Sequence, residues 1–132
     1  MKPLIYVAAI VACTVLLIPG CGSSAAAGSG ETVMIYTSMY GDVVDTMQRI
    51  LAVQFPRYNI EFSYGGTGTL QARIASEKES GRLGCDILMV ADPAYSLELK
   101  EQGMLHPHIS VEAPNLAFDY DPEGCWYPVR IS

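Results

Sequence analysis

Three apolar, strand-like runs begin at Thr32, Asn59 and Asp86, each 27 residues after the last. That interval holds one helix between neighbours. A strand, helix, strand cadence of this length returns the chain to the same end of a sheet, so the strands pair in parallel through right-handed crossovers. The expected fold is α/β, a doubly wound, mostly parallel sheet. No sequence repeat accompanies the cadence. Thr32–Thr37 (TVMIYT) is β-branched and nearly all apolar, the pattern of a strand buried on both faces. Asn59–Tyr64 sets Ile60, Phe62 and Tyr64 against Glu61 and Ser63, which predicts one wet face. Asp86–Ala91 (DILMVA) is continuous and is expected to be buried.

The segments between the runs carry helical periodicity. Val43, Val44, Met47, Ile50, Leu51 and Phe55 share one helical face, with Asp42 placed as N-cap and Pro56 as the stop. Leu70 to Ser80 reads as a second helix, capped by Thr67 or Thr69 and ended by Gly81, with a narrow stripe of Leu70, Ile74 and Ala75. After the third run, Asp92 caps a helix that has Pro93 at its first position and Gly103 just past its end.

The chain begins differently. Lys2 precedes Leu4 to Ile18, a 15-residue apolar stretch, and Ile18, Pro19, Gly20 and Cys21 read as a small-residue cleavage site ending in cysteine. Spanning a bilayer takes ~20 apolar residues. Residues 1–21 therefore resemble a bacterial lipoprotein signal, in which Cys21 receives lipid; an uncleaved anchor or plain secretion is the alternative, and each implies export. Residues 22–30 contain only Gly, Ser and Ala, the composition of a flexible tether, and residues 31–132 form the folded body. Beyond Cys21, seven basic side chains face fourteen acidic ones, a formal charge of −7 that argues against a nucleic-acid partner.

In sheets of this kind, ligands sit beyond the carboxyl ends of the strands. Three segments fall there: Ser38, Met39 and Tyr40; Gly65 to Thr69; and Asp92 with Pro93. In the second, Gly66, Thr67 and Gly68 let backbone approach a ligand while N–H groups of a helix start attract an anion; the same residues also suit a plain glycine-rich turn. The segment lacks the lysine and spacing of a phosphate-binding P-loop. Tyr40 and Asp92 offer hard oxygen ligands at the ends of different strands, although Asp before Pro is also an ordinary helix cap. His106 and His108, separated by Pro107, read as solvent-exposed loop rather than a metal pair. No serine or cysteine carries the flanking pattern of a nucleophile, so the chain is not read as an enzyme.

Four runs in order, VMIYTSMYGD, FSYGGTGTLQARIASEKESG, CDILMVADPAYSLELKEQGML and DPEGCWYPVRIS, resemble the N-terminal lobe of solute-binding proteins of ABC importers, in the ferric-iron-binding class. The resemblance covers Glu31 to Ser132 and implies one lobe of a two-lobe fold, here truncated inside what looks like a strand from Trp126 to Ile131. It also implies a membrane permease as partner and a lipid-anchored, exported protein with no cofactor of its own. The ligand would be a ferric ion, carried as cargo on Tyr40 and Asp92, or else a phosphorylated small molecule held by Gly66, Thr67 and Gly68. An extracytoplasmic enzyme or sensor on the same half-fold is the reading from another class. Cys85 and Cys125 each precede a strand of this scheme; were those strands neighbours, a disulfide would be within reach.

Overall fold

The computed structural model describes residues 30–129 and has the element order β1 (Thr32–Thr37), α1 (Gly41–Gln54), β2 (Asn59–Tyr64), α2 (Thr67–Glu79), β3 (Ile87–Met89) and α3 (Pro93–Glu101), followed by a single 3-10 turn at Ala113–Asn115. The lipoprotein signal, Cys21 and almost all of the tether lie outside the described residues, as do residues 130–132. The sheet is parallel, in the order β2-β1-β3, with Thr32 to Thr37 in register with Asn59 to Tyr64 on one side and Ile35 to Thr37 with Ile87 to Met89 on the other. This is the expected α/β, doubly wound arrangement.

Its two faces are covered unequally. Tyr36, Leu70, Ile74 and Leu99 form the buried cluster, with Met34, Leu88, Val90 and Tyr95 packed against it, so α2 and α3 share one face of the sheet. Side chains alternate along β1, and Ile35 and Thr37 are buried on the opposite face, where α1 packs over β2. Among the described residues that face has one helix. Consequently α1 has no fully buried residue; Ile50 is 51% exposed, and Phe55 of the expected core stripe is exposed as well. The helix face read from periodicity is real in Val43, Val44, Met47 and Leu51, which are half-buried, but it is wider than the sheet surface available to it.

Several boundaries differ from the sequence reading, for local reasons. Asp42 is a first-turn residue of α1, and the N-cap is Tyr40, in extended conformation with no side-chain cap bond. Gly66, not Thr67 or Thr69, caps α2; both threonines lie inside the helix, Ala75 is exposed, and the helix ends at Glu79 with Ser80 as C-cap. The Asp92 cap is as expected: its carboxylate accepts from the Tyr95 N–H at 3.2 Å, and Pro93 opens the helix. Gly81 and Gly103 take φ of +77° and +66° just past α2 and α3, a region that suits glycine. β3 is three residues rather than six, and Ile87 is 46% exposed because no helix covers that face of this edge strand.

The expected strand at Trp126 is absent through Val129; the segment is irregular and held by side chains. Buried Asp121 receives Lys100 Nζ at 2.6 Å and the Cys125 N–H at 2.8 Å, and Tyr127 donates its hydroxyl to the His108 carbonyl at 2.6 Å. Without a strand beside β3, the premise of a Cys85–Cys125 bridge is not met. Both cysteines are half-buried free thiols with separate neighbours, Cys85 against the core cluster and Cys125 beside Asp121, and burial pushes each thiol pKa up. His106 and His108 are exposed in their loop, as expected.

One carboxylate ties the layers together. Glu77 of α2 accepts from the Tyr36 hydroxyl at 2.7 Å, from Arg73 Nε at 2.8 Å and from the Gly84 N–H at 2.7 Å. Arg73 in turn lies 4.0 Å over the Tyr36 ring and donates to Ser63 Oγ on β2 at 2.9 Å. Burial, then the bond to Glu77, pushes the Tyr36 phenol from 10.0 up to about 12. The Gly84 N–H is the largest of the influences holding Glu77 below its ordinary value of 4.5. A depressed carboxyl pKa stabilises the fold above the unfolded value and loses that contribution as pH falls through the folded one. Glu77→Ala is therefore expected to lower unfolding free energy by ~2 to 3 kcal/mol at neutral pH, since it strands a buried hydroxyl and a backbone donor. In urea melts the gap between wild type and variant should narrow as pH falls below 4.5; a gap constant with pH would show that the carboxylate charge is not involved.

Candidate functional site

All three helices start at the same edge of the sheet, because each follows a parallel strand. Central β1 places Ser38, Met39 and Tyr40 between the Gly65–Thr69 turn after β2 and the Val90–Asp92 turn after β3. The sequence-predicted residues thus converge on one face. Their backbones are fixed by short bonds: Ser38 N–H to the Met89 carbonyl at 3.0 Å, Gly65 N–H to the Thr37 carbonyl at 3.0 Å, and Met39 N–H to Thr37 Oγ1 at 3.1 Å.

What these residues offer differs one from another. Tyr40 is 70% exposed, with its phenol free of hydrogen bonds to the described protein groups. Tyr64, the last residue of β2, is also exposed; alternation in the sequence places it on the covered side, but it lies at the strand's open end. Neither α1 nor α2 has a side-chain cap. The Val43 and Val44 N–H groups bond back to the Tyr40 carbonyl and that of Leu70 to the Gly66 carbonyl, so the donors left facing outward are those of Gly41 and Asp42 on α1 and of Thr67, Gly68 and Thr69 on α2. Asp42 places a negative charge in the first turn of α1, whereas α2 has no acidic residue there. The start of α2 is therefore the stronger anion-attracting position. A Cβ at Gly68 would meet nothing within 4 Å, so a side chain there has room.

Asp92 is engaged on both oxygens. One caps α3 through the Tyr95 N–H, and the other accepts from Gln71 Nε2 at 2.8 Å. Sequence reasoning missed Gln71, which stands one turn into α2 at the same edge and is 21 residues from its partner. Among the described residues there is no group of three or more His, Cys, Asp or Glu placed to hold a metal ion. Two open depressions lie elsewhere, one of about 440 Å³ lined by Ala113, Leu116, Phe118 and Tyr120, the other of about 370 Å³ along α1 at Thr46, Arg49, Ile50 and Val53. Neither includes a strand-end residue.

No protein-family model matches the sequence, and no curated protein matches it. Among solved structures, the periplasmic binding protein P5PA is similar over 64% of this chain, with a TM-score of 0.52 and 23% sequence identity. This chain spans 26% of that protein's length. The likeness is one of fold: the parallel sheet and its helices match a part of a periplasmic binding protein.

Proposed function

We propose that this chain is a solute-binding lobe that receives an oxyanion-bearing small molecule, such as a phosphate monoester, at the carboxyl ends of its strands. The observation that carries this reading is the start of α2, where the N–H groups of Thr67, Gly68 and Thr69 have no capping side chain and the first turn holds no acidic residue. The fold shared with P5PA supports the class. Binding is by capture rather than by chemistry, with a second lobe closing over the solute and a membrane permease of the ABC type taking it up. The protein acts outside the cytoplasm, anchored by lipid on Cys21 through the 22–30 tether. Ferric-ion capture is the second reading. It draws on the exposed Tyr40 phenol and on Asp92, and it needs further ligands from outside the described residues.

A single lobe supplies few contacts and cannot exclude water, so inorganic phosphate should bind the full chain only weakly, at ~1 mM or above. Gly68→Asp puts a carboxylate where the anion would sit, in space that is free and in a helix turn that favours negative charge. Equilibrium dialysis with phosphate should show at least a ~10-fold loss for this variant with the melting temperature held or raised; unchanged affinity would overturn the reading. Anchoring is tested separately. Cys21→Ser should move the folded chain from the membrane fraction to the soluble one, and an unchanged membrane-bound fraction would argue for an uncleaved helix.

A further inference from the structure

The chain joins the folded body at Gly30, and the structure fixes what lies beside that junction. Gly30 sits against the Arg57 carbonyl, where a Cβ would collide, and Asn59 donates its N–H to the Glu31 carbonyl at 3.0 Å. The junction is therefore pinned to the turn between α1 and β2, at the amino edge of the sheet. Residues 52–58, which close α1 and form that turn, are all exposed. Four large apolar side chains stand open to solvent here, Ile50, Val53, Phe55 and Tyr58, with Val53 81% exposed. Ile50 and Val53 line, with Arg49, the depression along α1. Charge is distributed to match. The sequence beyond Cys21 is strongly acidic, yet from Thr46 to Ile60 it has no acidic residue and two arginines, Arg49 and Arg57. Both are exposed, and neither is in an ion pair among the described residues. Glu31 at the junction returns one negative charge against these two.

We infer that this end of α1, with Ile50, Val53, Phe55 and Tyr58 between Arg49 and Arg57, is a membrane-docking surface whose partner is the anionic bilayer that holds the chain's anchor. The inference rests on the anchoring part of the reading above and not on the choice of solute. It holds whether Cys21 carries lipid or residues 4–18 remain as an uncleaved anchor, because the same residues 22–30 then lead from the bilayer to the body. Nine residues reach at most about 30 Å, so the patch beside Gly30 stays close to the lipid headgroups. Tethering makes docking an intramolecular event, and a contact too weak for a free protein becomes populated. Apolar and aromatic side chains enter the boundary between headgroups and acyl chains, while the guanidiniums meet lipid phosphates. A second copy of this chain is a poorer match, since it would bring the same two arginines against the patch. Orientation follows from the topology. α1 runs from the carboxyl edge of the sheet to its amino edge, so docking by its end turns Gly66 to Gly68 away from the bilayer and toward solvent.

Quenching of introduced tryptophans by brominated lipid tests which face meets the membrane. The full chain is reconstituted through its own anchor in vesicles of phosphatidylcholine and phosphatidylglycerol. Val53→Trp is compared with Val111→Trp, which is 88% exposed and lies beside the 3-10 turn, an element that does not touch α1. Wild-type emission from Trp126 is subtracted. The Val53→Trp emission should be blue-shifted, and most of it should be lost when the lipids are brominated; the Val111→Trp emission should show neither change. Quenching at Val53→Trp should fall when phosphatidylglycerol is omitted, in ~1 M salt, and when Arg49→Gln and Arg57→Gln are added. Tyr58→Trp, an aromatic exchange in the same patch, should repeat the pattern and serves if Val53→Trp fails to fold. Equal quenching at the patch and at Val111 would overturn the inference. So would patch emission that is blue-shifted yet untouched by brominated lipid, which would put a second copy or the apolar stretch 4–18 on the patch. Flotation of the same vesicles separates the two proposals. Chain that floats without preferential quenching keeps its anchor and loses the docking surface, whereas chain that does not float loses both.

Discussion

The Glu77 carboxylate is the joint on which the rest of this lobe depends. It lies on α2, but its bonds reach Tyr36 in the middle of the central strand and Gly84 in the turn that leads to β3. Through Arg73 the same group reaches Ser63 on β2. One side chain thereby fixes the orientation of α2 relative to all three strands, and with it the position of the α2 start at the carboxyl edge. The geometry around it leaves no slack. A Cβ at Gly84 would collide with the Tyr36 hydroxyl, so the approach of this turn to the sheet requires glycine. A polar tie of this kind is worth having where apolar burial is modest, and here the fully buried cluster contains only four side chains among the described residues.

At the opposite edge a second polar tie, between Gln71 and Asp92, sets the spacing of α2 and α3. The two ties lie at different heights on the same helix, and the ligand face is the region above the upper one. That arrangement explains why a short glycine-rich turn can keep its N–H groups unsatisfied. The helix is held from below and from the side, so its first turn needs no cap to stay in place. A third polar tie joins residues 121–127 to α3, where Lys100 meets Asp121 and Glu123.

Much of this was legible in the sequence because it depends on neighbours in the chain. β1 and β2 begin and end where apolar pattern places them, and Asp92 with Pro93 reads correctly as a helix start, since a capping bond spans three residues. Helix starts without side-chain caps were misplaced for the same reason. Tyr40 and Gly66 end their strands' extended backbone without announcing it by residue type, while Asp42, Thr67 and Thr69 have the chemistry of caps and lie inside the helices. The buried extent of α1 and β3 was over-read, because periodicity reports which face is apolar and not how much surface there is to cover it. The Tyr36–Glu77 and Gln71–Asp92 bonds span 41 and 21 residues, and no local pattern marks either. The strand-end positions of Tyr40, Gly66 to Gly68 and Asp92 were found from topology alone; that Asp92 accepts from Gln71 needed the third dimension.

The central claim is that the open helix start at Thr67 and Gly68, rather than the Tyr40 and Asp92 oxygens, is where this face meets its ligand. A crystal structure of the full chain grown with a phosphate monoester tests it most directly. The account predicts phosphate oxygens within hydrogen-bonding distance of the Thr67 and Gly68 N–H groups, with Gln71 still donating to Asp92. A phosphate bound only at another part of the surface, or a metal ion held between Tyr40 and an Asp92 released from Gln71, would contradict it.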